Sequence, residues 1–391
     1  VNLVDVAILL VVVAYAAVGY WRGFVAGFAG VLGLLVGGSV GLVLVPLLLG
    51  GLESGLGRSL LALMVVLVLA SSGQAIGSHF GGGLRDRLTT PAARAADAAG
   101  GVALSVAAVL VLCWALGYAV SGAQIPGASS SVRGSKILAT IDGVMPDPAR
   151  EALHSFDGIV DSTLFPRYLD PFAPETIEPA AAPDPEVLKQ PGVRKARRSV
   201  ARITGQSSCD RMLEGSGFVF ASDRVMTNAH VVAGVTQPYV TVRGQEYEAT
   251  TVVYDPDLDV AVLRVIGLRA RPLAFDPSGA PGDDAAVLGF PENGPFDARA
   301  ARIRSEQRLR SRDIYGEQRA TREVFSLRSL VRPGNSGGPV ISSQGRVYGV
   351  VFAASVEDSS TGYALTADQV AEAAEDGRTA MRPVSTGACA R

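Results

Sequence analysis

A histidine and a serine, about a hundred residues apart, stand in settings suited to nucleophilic chemistry. The first lies in Thr227-Asn228-Ala229-His230-Val231-Val232 and the second in Gly334-Asn335-Ser336-Gly337-Gly338-Pro339. A serine hydroxyl attacks a carbonyl at neutral pH only when a base takes its proton, and imidazole has the unperturbed pKa for that task. Glycines around the serine let the backbone bend so that N–H groups can face a developing oxyanion. Ser-Gly-Gly alone carries little weight, because loops are full of it. Paired with the histidine stretch, in this order, it points to serine catalysis.

A third group, a carboxylate, is needed to orient the imidazole and to stabilise its protonated form. Candidates cluster in Asp255-Pro256-Asp257-Leu258-Asp259, directly before the apolar run Val260-Ala261-Val262-Leu263. A carboxylate abutting a buried strand can sit behind the histidine, which favours Asp259. Asp255 and Asp257, beside a proline, read as turn formers.

These groups need a scaffold, and the surrounding chain supplies short β-type runs divided by turns. Ser199–Ile203, Gly217–Phe220, Val225–Thr227, Tyr239–Val242, Ala249–Tyr254 and Val260–Val265 form a first group. Ala285–Leu288, Arg299–Leu309, Val324–Leu327, Pro339–Ser342, Arg346–Phe352 and Gly362–Leu365 form a second. A turn-rich join near Pro272–Pro281 separates them, so two small β-barrels are expected with His230 on one and Ser336 on the other.

The N-terminal part has a different composition. Apolar stretches at Leu3–Tyr20, Phe24–Leu49, Leu60–Gly77 and Ala98–Val120 are each near the roughly 20 residues needed to cross a bilayer. Residues 1–121 are therefore expected to form a four-helix transmembrane bundle in contact with lipid. The first stretch has neither a basic flank nor an Ala-x-Ala-like site, so a cleaved leader is not expected. Arg22 falls in the first loop and Arg85, Arg87 and Arg94 in the third, against Arg58 alone in the second. The positive-inside rule then puts both termini, and everything after Val120, outside the cytoplasm. Gly33, Gly37 and Gly41, four residues apart, offer a face for close helix–helix association. Residues 122–195 read as a juxtamembrane and Pro/Ala-rich linker, with short helices expected around Asp147–Val160 and a spacer between Pro171 and Pro191. Residues 196–391 form the catalytic region.

Of three cysteines, Cys113 falls in the fourth span, while Cys209 and Cys389 lie outside the membrane. There they are either bridged or two free thiols; an oxidising compartment favours the bridge. The net charge of −2 averages two unlike halves and decides nothing about partners. Arg299, Arg302, Arg304, Arg308 and Arg310 read as the solvated face of a hairpin, so neither nucleic acid nor another polyanion is expected to bind. One histidine in the catalytic region, with cysteines at opposite ends, makes a metal site or other cofactor unexpected.

With these residues in view, the C-terminal region resembles the chymotrypsin/HtrA class of serine proteases. The matching stretches are Gly215-Ser216-Gly217-Phe218-Val219, the His230 stretch, Asp255 to Leu263 and the Ser336 stretch. The resemblance implies a double β-barrel with His230 as base, Asp259 as orienting carboxylate and Ser336 as nucleophile. It also implies an oxyanion hole made by the N–H groups of Gly334 and Ser336. Digestive members carry Asp where this chain has Asn335, so activation by a new N-terminal amine is not expected. HtrA members carry PDZ modules after the protease, whereas the 55 residues after Ser336 are mostly taken up by strands. By analogy, Leu330 and Phe352-Ala353-Ala354 line the primary pocket, with no acid to select Lys or Arg.

The four spans resemble the colicin-V-production type of membrane domain. Together the two halves resemble the membrane-anchored periplasmic serine proteases of mycobacteria and related actinobacteria. That likeness implies endopeptidase action on envelope proteins, a part in acid or oxidative stress, and a Cys209–Cys389 disulfide able to tune activity. The competing readings are an inactive peptide-binding pseudoprotease and a transporter or channel with a regulatory soluble domain.

Overall fold

The computed structural model describes residues 2–49, 56–122, 128–146, 148–149, 175–355 and 357–390. The helix expected around Asp147–Val160 falls almost wholly outside them. The chain divides into two compact units, Val1–Tyr118 with Gly134–Met145, and Ala119–Arg133 with Pro146–Arg391.

Unit one is built from α1 (Leu3–Leu49), α2 (Leu56–Arg85) and α3 (Pro91–Gly122). Among the described residues these three are the helices long and apolar enough to cross a membrane. Four spans were expected; spans one and two are joined in α1 without an intervening loop. That join is a break at Gly23, whose φ of 74° and ψ of 168° no helix contains. A side chain there is barred twice, by the left-handed φ and by Asp97, whose Oδ2 would lie 1.8 Å from a Cβ. A broken helix exposes an unspent carbonyl on one side and an unspent N–H on the other. Both are met from neighbouring helices. Arg85, the last residue of α2, donates to Trp21 O, and Asp97 on α3 accepts from Val25 N at 2.9 Å. The two side chains are themselves paired, Arg85 Nε to Asp97 Oδ2 at 2.7 Å, with the Asp97 side chain only 3% exposed.

The second part of α1 runs antiparallel to α2 over a glycine seam. A Cβ on Gly33 would stand 2.0 Å from Gly73 O, one on Gly37 2.2 Å from Leu69 O, and one on Gly41 3.0 Å from Val66 Cα. The association face read from the sequence is thus used within the chain. Replacing Asp97 with Ala strands the Val25 N–H and a cation, a loss of about 2 kcal/mol for a charge-assisted contact. Thermal unfolding in detergent should show the helical signal melting earlier in Asp97→Ala, with peptidase activity at low temperature retained.

In unit two, short helices α4 (Ala128–Arg133), α6 (Pro191–Ala196) and α7 (Ala371–Thr379) accompany the strands, while α5 (Lys136–Val144) belongs to unit one. The stretch read as a spacer is docked on the strands from Glu175 onward. Arg304 donates to Glu178 O, Arg328 holds Ala180 O, and Val187, Val193 and Ala196 are buried in the main core.

The strands are β1 (Val200–Gln206), β2 (Met212–Ala221), β3 (Arg224–Thr227), β4 (Tyr239–Val242), β5 (Gln245–Glu248), β6 (Thr250–Asp255) and β7 (Val260–Arg264), followed by β8 (Asp284–Gly289), β9 (Asp297–Arg312), β10 (Arg319–Arg328), β11 (Pro339–Ile341), β12 (Val347–Ala354) and β13 (Thr361–Thr366). The first seven form a sheet in the order β5-β4-β1-β2-β3-β7-β6. The last six close into a barrel, β10-β13-β12-β11-β8-β9. Two barrels were expected; the second closes, whereas the first is a seven-stranded sheet with β5 and β6 at its edges. Every pairing between named strands is antiparallel. Inward-facing Ile203, Val219, Val225, Val240 and Leu263 fill the first sheet, and Val287, Ile303, Leu327 and Val340 the barrel. A third cluster with Phe218, Met226, Leu288 and Phe352 draws on both. Phe352, expected at the primary pocket, is fully buried there because its side chain faces that core; Leu330 remains 42% exposed.

The arginine-rich hairpin of β9 and β10 is laced with carboxylates, as in Arg302–Asp284 at 2.7 Å and Arg308–Glu323 at 2.9 Å. Arg304 departs from the expected solvated face, its side chain only 7% exposed beside Asp358 and Glu178, and Arg322 is fully buried, donating to Ser311 Oγ and, at 3.0 Å, to Arg312 O.

Cys209 and Cys389 are bonded, closing a separation of 180 residues. The bridge pins the C-terminal tail beside the loop that follows the histidine turn. Gly234 N donates to Thr386 O at 3.0 Å and Thr386 Oγ1 to Val235 O at 3.0 Å. In the chain-entropy model a loop of this length is worth about 5 kcal/mol, less any native strain. Cys389→Ser, and wild type under reductant, should therefore unfold at clearly lower denaturant than the oxidised protein. Equal midpoints would show that the tail contacts alone hold this edge.

Candidate active site

The carboxylate expected behind the histidine is there. Asp259 ends the turn between β6 and β7, is fully buried, and presents both oxygens to one residue. Its Oδ2 lies 2.8 Å from His230 Nδ1 and its Oδ1 accepts from His230 N at 2.9 Å. The second contact locks the carboxylate so that the first falls in line with the ring. Asp259 has φ 62°, a left-handed conformation that Asp adopts more readily than most residues. Asn228, two residues before the histidine, donates Nδ2 to Asp259 O at 2.7 Å and ties the two turns together. Asp255 instead accepts from Asp257 N and Leu258 N at 2.9 Å, the side-chain turn expected of it.

Behind the pair, Tyr254 and Tyr315 share a hydroxyl–hydroxyl bond of 2.7 Å. Burial first, then the Tyr315 hydroxyl and the charge of Asp259, push the Tyr254 phenol far above its ordinary range. It stays neutral beside the carboxylate.

Ser336 sits in the loop before β11, 2% exposed, and its Oγ makes no hydrogen bond. Four successive carbonyls around it are fixed. Pro333 O accepts from Glu292 N at 2.8 Å, Gly334 O from Ser216 Oγ at 2.6 Å, Asn335 O from Gly338 N at 2.9 Å, and Ser336 O from Ser216 N at 2.8 Å. The intervening N–H groups are spent in two places, Asn335 N on Arg332 O at 3.0 Å and Gly337 N on Val351 O at 2.8 Å. Within residues 333–338, the N–H groups of Gly334 and Ser336 are the two that donate to nothing among the described residues. They are the pair expected to receive an oxyanion. In a trans peptide N–H and C=O point opposite ways, so fixing Pro333 O and Asn335 O also aims those two N–H groups.

Gly334 reaches this geometry at φ +88°, with Phe290 O only 2.6 Å from where a Cβ would be. Asn335, 3% exposed, turns its Oδ1 back to Arg332 N at 2.9 Å and so braces the loop internally. An aspartate awaiting a new N-terminal amine has no counterpart here.

Sequence reasoning singled out His230, Asp259, Ser336, Gly334, Cys209 and Cys389; of these the structure joins His230 to Asp259 and Cys209 to Cys389. It missed the struts, Asn228 and Ser216. Both stand inside motifs that were recognised, where neighbours of catalytic residues invite the question of what holds them.

The family profile of the Trypsin-like peptidase domain matches residues 215–350, and that of the Colicin V production protein matches residues 4–146. Serine protease Rv3671c of Mycobacterium tuberculosis (strain ATCC 25618 / H37Rv) is 36% identical over 390 residues, covering 98% of each chain. Protease Do-like 1, chloroplastic, of Arabidopsis thaliana is 30% identical over 165 residues, 40% of this chain and 37% of its own. The crystal structure of the Rv3671c protease from M. tuberculosis, active form, superposes with a TM-score of 0.54 at 44% identity, covering 57% of this chain and all of that one. A membrane region and a protease region are thus joined in the same order along nearly the whole of both chains, and this chain belongs to the family of membrane-anchored, trypsin-like serine proteases that includes Rv3671c.

Proposed function

We propose that the protein is an extracytoplasmic endopeptidase that cuts envelope proteins through an acyl-enzyme. Ser336 Oγ attacks the scissile carbonyl while His230 takes its proton and later returns it to the leaving amine. Asp259 holds the ring in the tautomer that leaves Nε2 to accept and stabilises the imidazolium. The tetrahedral oxyanion is received by Gly334 N–H and Ser336 N–H. The observation that carries this reading is the hydrogen-bond pattern of residues 333–338, which spends its other N–H groups and leaves those two. Hydrolysis of a peptide library by the detergent-solubilised protein, lost in His230→Ala, tests it; undiminished cleavage in that variant would end it.

In this reading the chain crosses the membrane four times. The apolar part of α1, Leu3–Val45, holds 43 residues, about 65 Å of helix at ~1.5 Å each. That is twice a bilayer core of about 30 Å, and the break at Gly23 divides it. Gly23 meets Arg85 and Asp97 at one end of the bundle, which supports a shared side for the first and third loops. Their arginines make that side cytoplasmic. The protease then lies outside, where the Cys209–Cys389 bridge persists. Alkaline phosphatase fused after Met145 should be active and fused after Arg87 inactive; the reverse pattern would invert the topology. A part in acid or oxidative stress follows from the same placement and from the resemblance to envelope proteases. A strain carrying Ser336→Ala should survive acid or peroxide less well than its parent.

A further inference from the structure

We infer that Ser216 is a positioning residue for the oxyanion hole, whose side chain sets the angle between its two N–H donors. The inference rests on the reading of Ser336 as nucleophile and goes beyond it. Ser216 lies on β2 in the first sheet and is wholly buried. Its polar atoms reach three elements. The hydroxyl donates to Gly334 O at 2.6 Å and accepts from Phe290 N, just after β8, at 2.8 Å. Its N–H donates to Ser336 O at 2.8 Å, and its carbonyl accepts from Thr227 Oγ1 at 2.8 Å, at the start of the histidine turn.

The placement matters because of which peptides are held. The oxyanion donors belong to the Pro333–Gly334 and Asn335–Ser336 peptides. Ser216 holds the two peptides that alternate with them, Gly334–Asn335 through its hydroxyl and Ser336–Gly337 through its N–H. The Gly334–Asn335 peptide lies between the donors, so rotating it changes the angle at which Gly334 N–H and Ser336 N–H converge. Gly334, at φ +88°, offers little resistance to that rotation, since glycine lacks the Cβ that would restrict it. Asn335 N on Arg332 O, at 3.0 Å, is the only other restraint on that peptide among the described residues. Remove the hydroxyl and Gly334 O and Phe290 N both lose a buried partner, which drives the loop to seek other bonds.

The surroundings are cut to this hydroxyl. A Cβ on Gly289 would stand 2.7 Å from Ser216 Oγ, and one on Gly338 3.3 Å from Ser216 Cβ. Glycine at these two positions leaves the room that the Ser216 side chain occupies.

Ser216→Ala in the detergent-solubilised protein tests the assignment. Removing one oxyanion donor outright costs about 10²–10³ in kcat, so misaiming a pair should cost about 10- to 100-fold, with KM on a peptide amide within about twofold. Affinity for a peptide aldehyde, whose hemiacetal oxygen occupies the oxyanion position, should fall by a similar factor. Affinity for the matching product acid should hold. Ser216→Thr, which keeps the hydroxyl, should retain more of kcat than Ser216→Ala. An unchanged kcat in Ser216→Ala overturns the inference. So does a parallel loss of kcat, KM and product affinity, which marks a loosened fold. If Ser216→Ala does not fold, Ser216→Cys, a weak donor of similar size, should show the same kcat loss, and full activity there overturns it. Wild type that fails to react with a fluorophosphonate would remove the nucleophile assignment, whereas reactive wild type with an unaffected Ser216→Ala removes only the strut.

Discussion

Ser336→Ala should lower kcat on a peptide amide by about 10⁶-fold while leaving KM and stability nearly unchanged. The size follows from the way the three groups act as one unit: without the nucleophile, histidine and aspartate have nothing to activate. What remains is the modest acceleration from binding and the oxyanion donors. The neutral effect on stability follows from this chain's geometry. Ser336 Oγ is buried and makes no hydrogen bond, so its removal strands no partner. The surrounding carbonyls are held by Ser216, Gly338 and Glu292, none of which needs the hydroxyl. Steady-state kinetics and a thermal melt of the variant check both halves. A variant that melts well below wild type would mean the hydroxyl supports the loop after all.

Asp259→Asn should cost about 10⁴-fold in kcat with the backbone intact. The carboxylate uses both oxygens on His230, Oδ1 for the backbone N–H and Oδ2 for ring Nδ1. An amide has one oxygen. Kept toward the backbone N–H, it turns its NH₂ to Nδ1, which must then accept, so the ring proton moves to Nε2 and the base is lost. Turned the other way, NH₂ meets the N–H of His230, donor against donor. Either way catalysis fails for a tautomeric reason. Asp255→Asn, which alters only a side-chain turn, should leave kcat within about twofold, and assay of the two variants side by side separates the roles.

The candidate triad stood out in the sequence because each proposed member sits in a short stretch whose neighbours are forced by local geometry. Gly334 and Gly337 have φ of +88° and +80°, and a Cβ on Gly337 would lie 2.2 Å from Ser216 O. Most strands were readable for a similar reason, since their β-branched residues face filled cores. β5 was not, because Gln245-Glu246-Tyr247-Glu248 has no apolar alternation. It forms by pairing with β4 across Arg243-Gly244, both at positive φ (54° and 79°), as a tight two-residue hairpin turn requires.

In the membrane region, hydropathy marked the apolar stretches but not what happens at Gly23. The break depends on Arg85 and Asp97, 62 and 74 residues away in sequence, and periodicity carries no sign of such partners. Docking of residues 175–196 escaped for a related reason. Their composition is that of a spacer, and the buried apolar anchors, Val187, Val193 and Ala196, are few and scattered. Ser216 was quoted for its motif and then passed over, since its meaning lies in bonds to a loop 118 residues on.

The central claim is that Ser336 is an activated nucleophile in the folded protein. Intact mass measurement after treatment with a fluorophosphonate addresses it most directly. The account predicts one adduct per chain on the peptide containing Ser336, absent from Ser336→Ala and strongly slowed in Asp259→Asn. Adducts on another residue, labelling that persists in Ser336→Ala, or folded wild type that takes up none would contradict it.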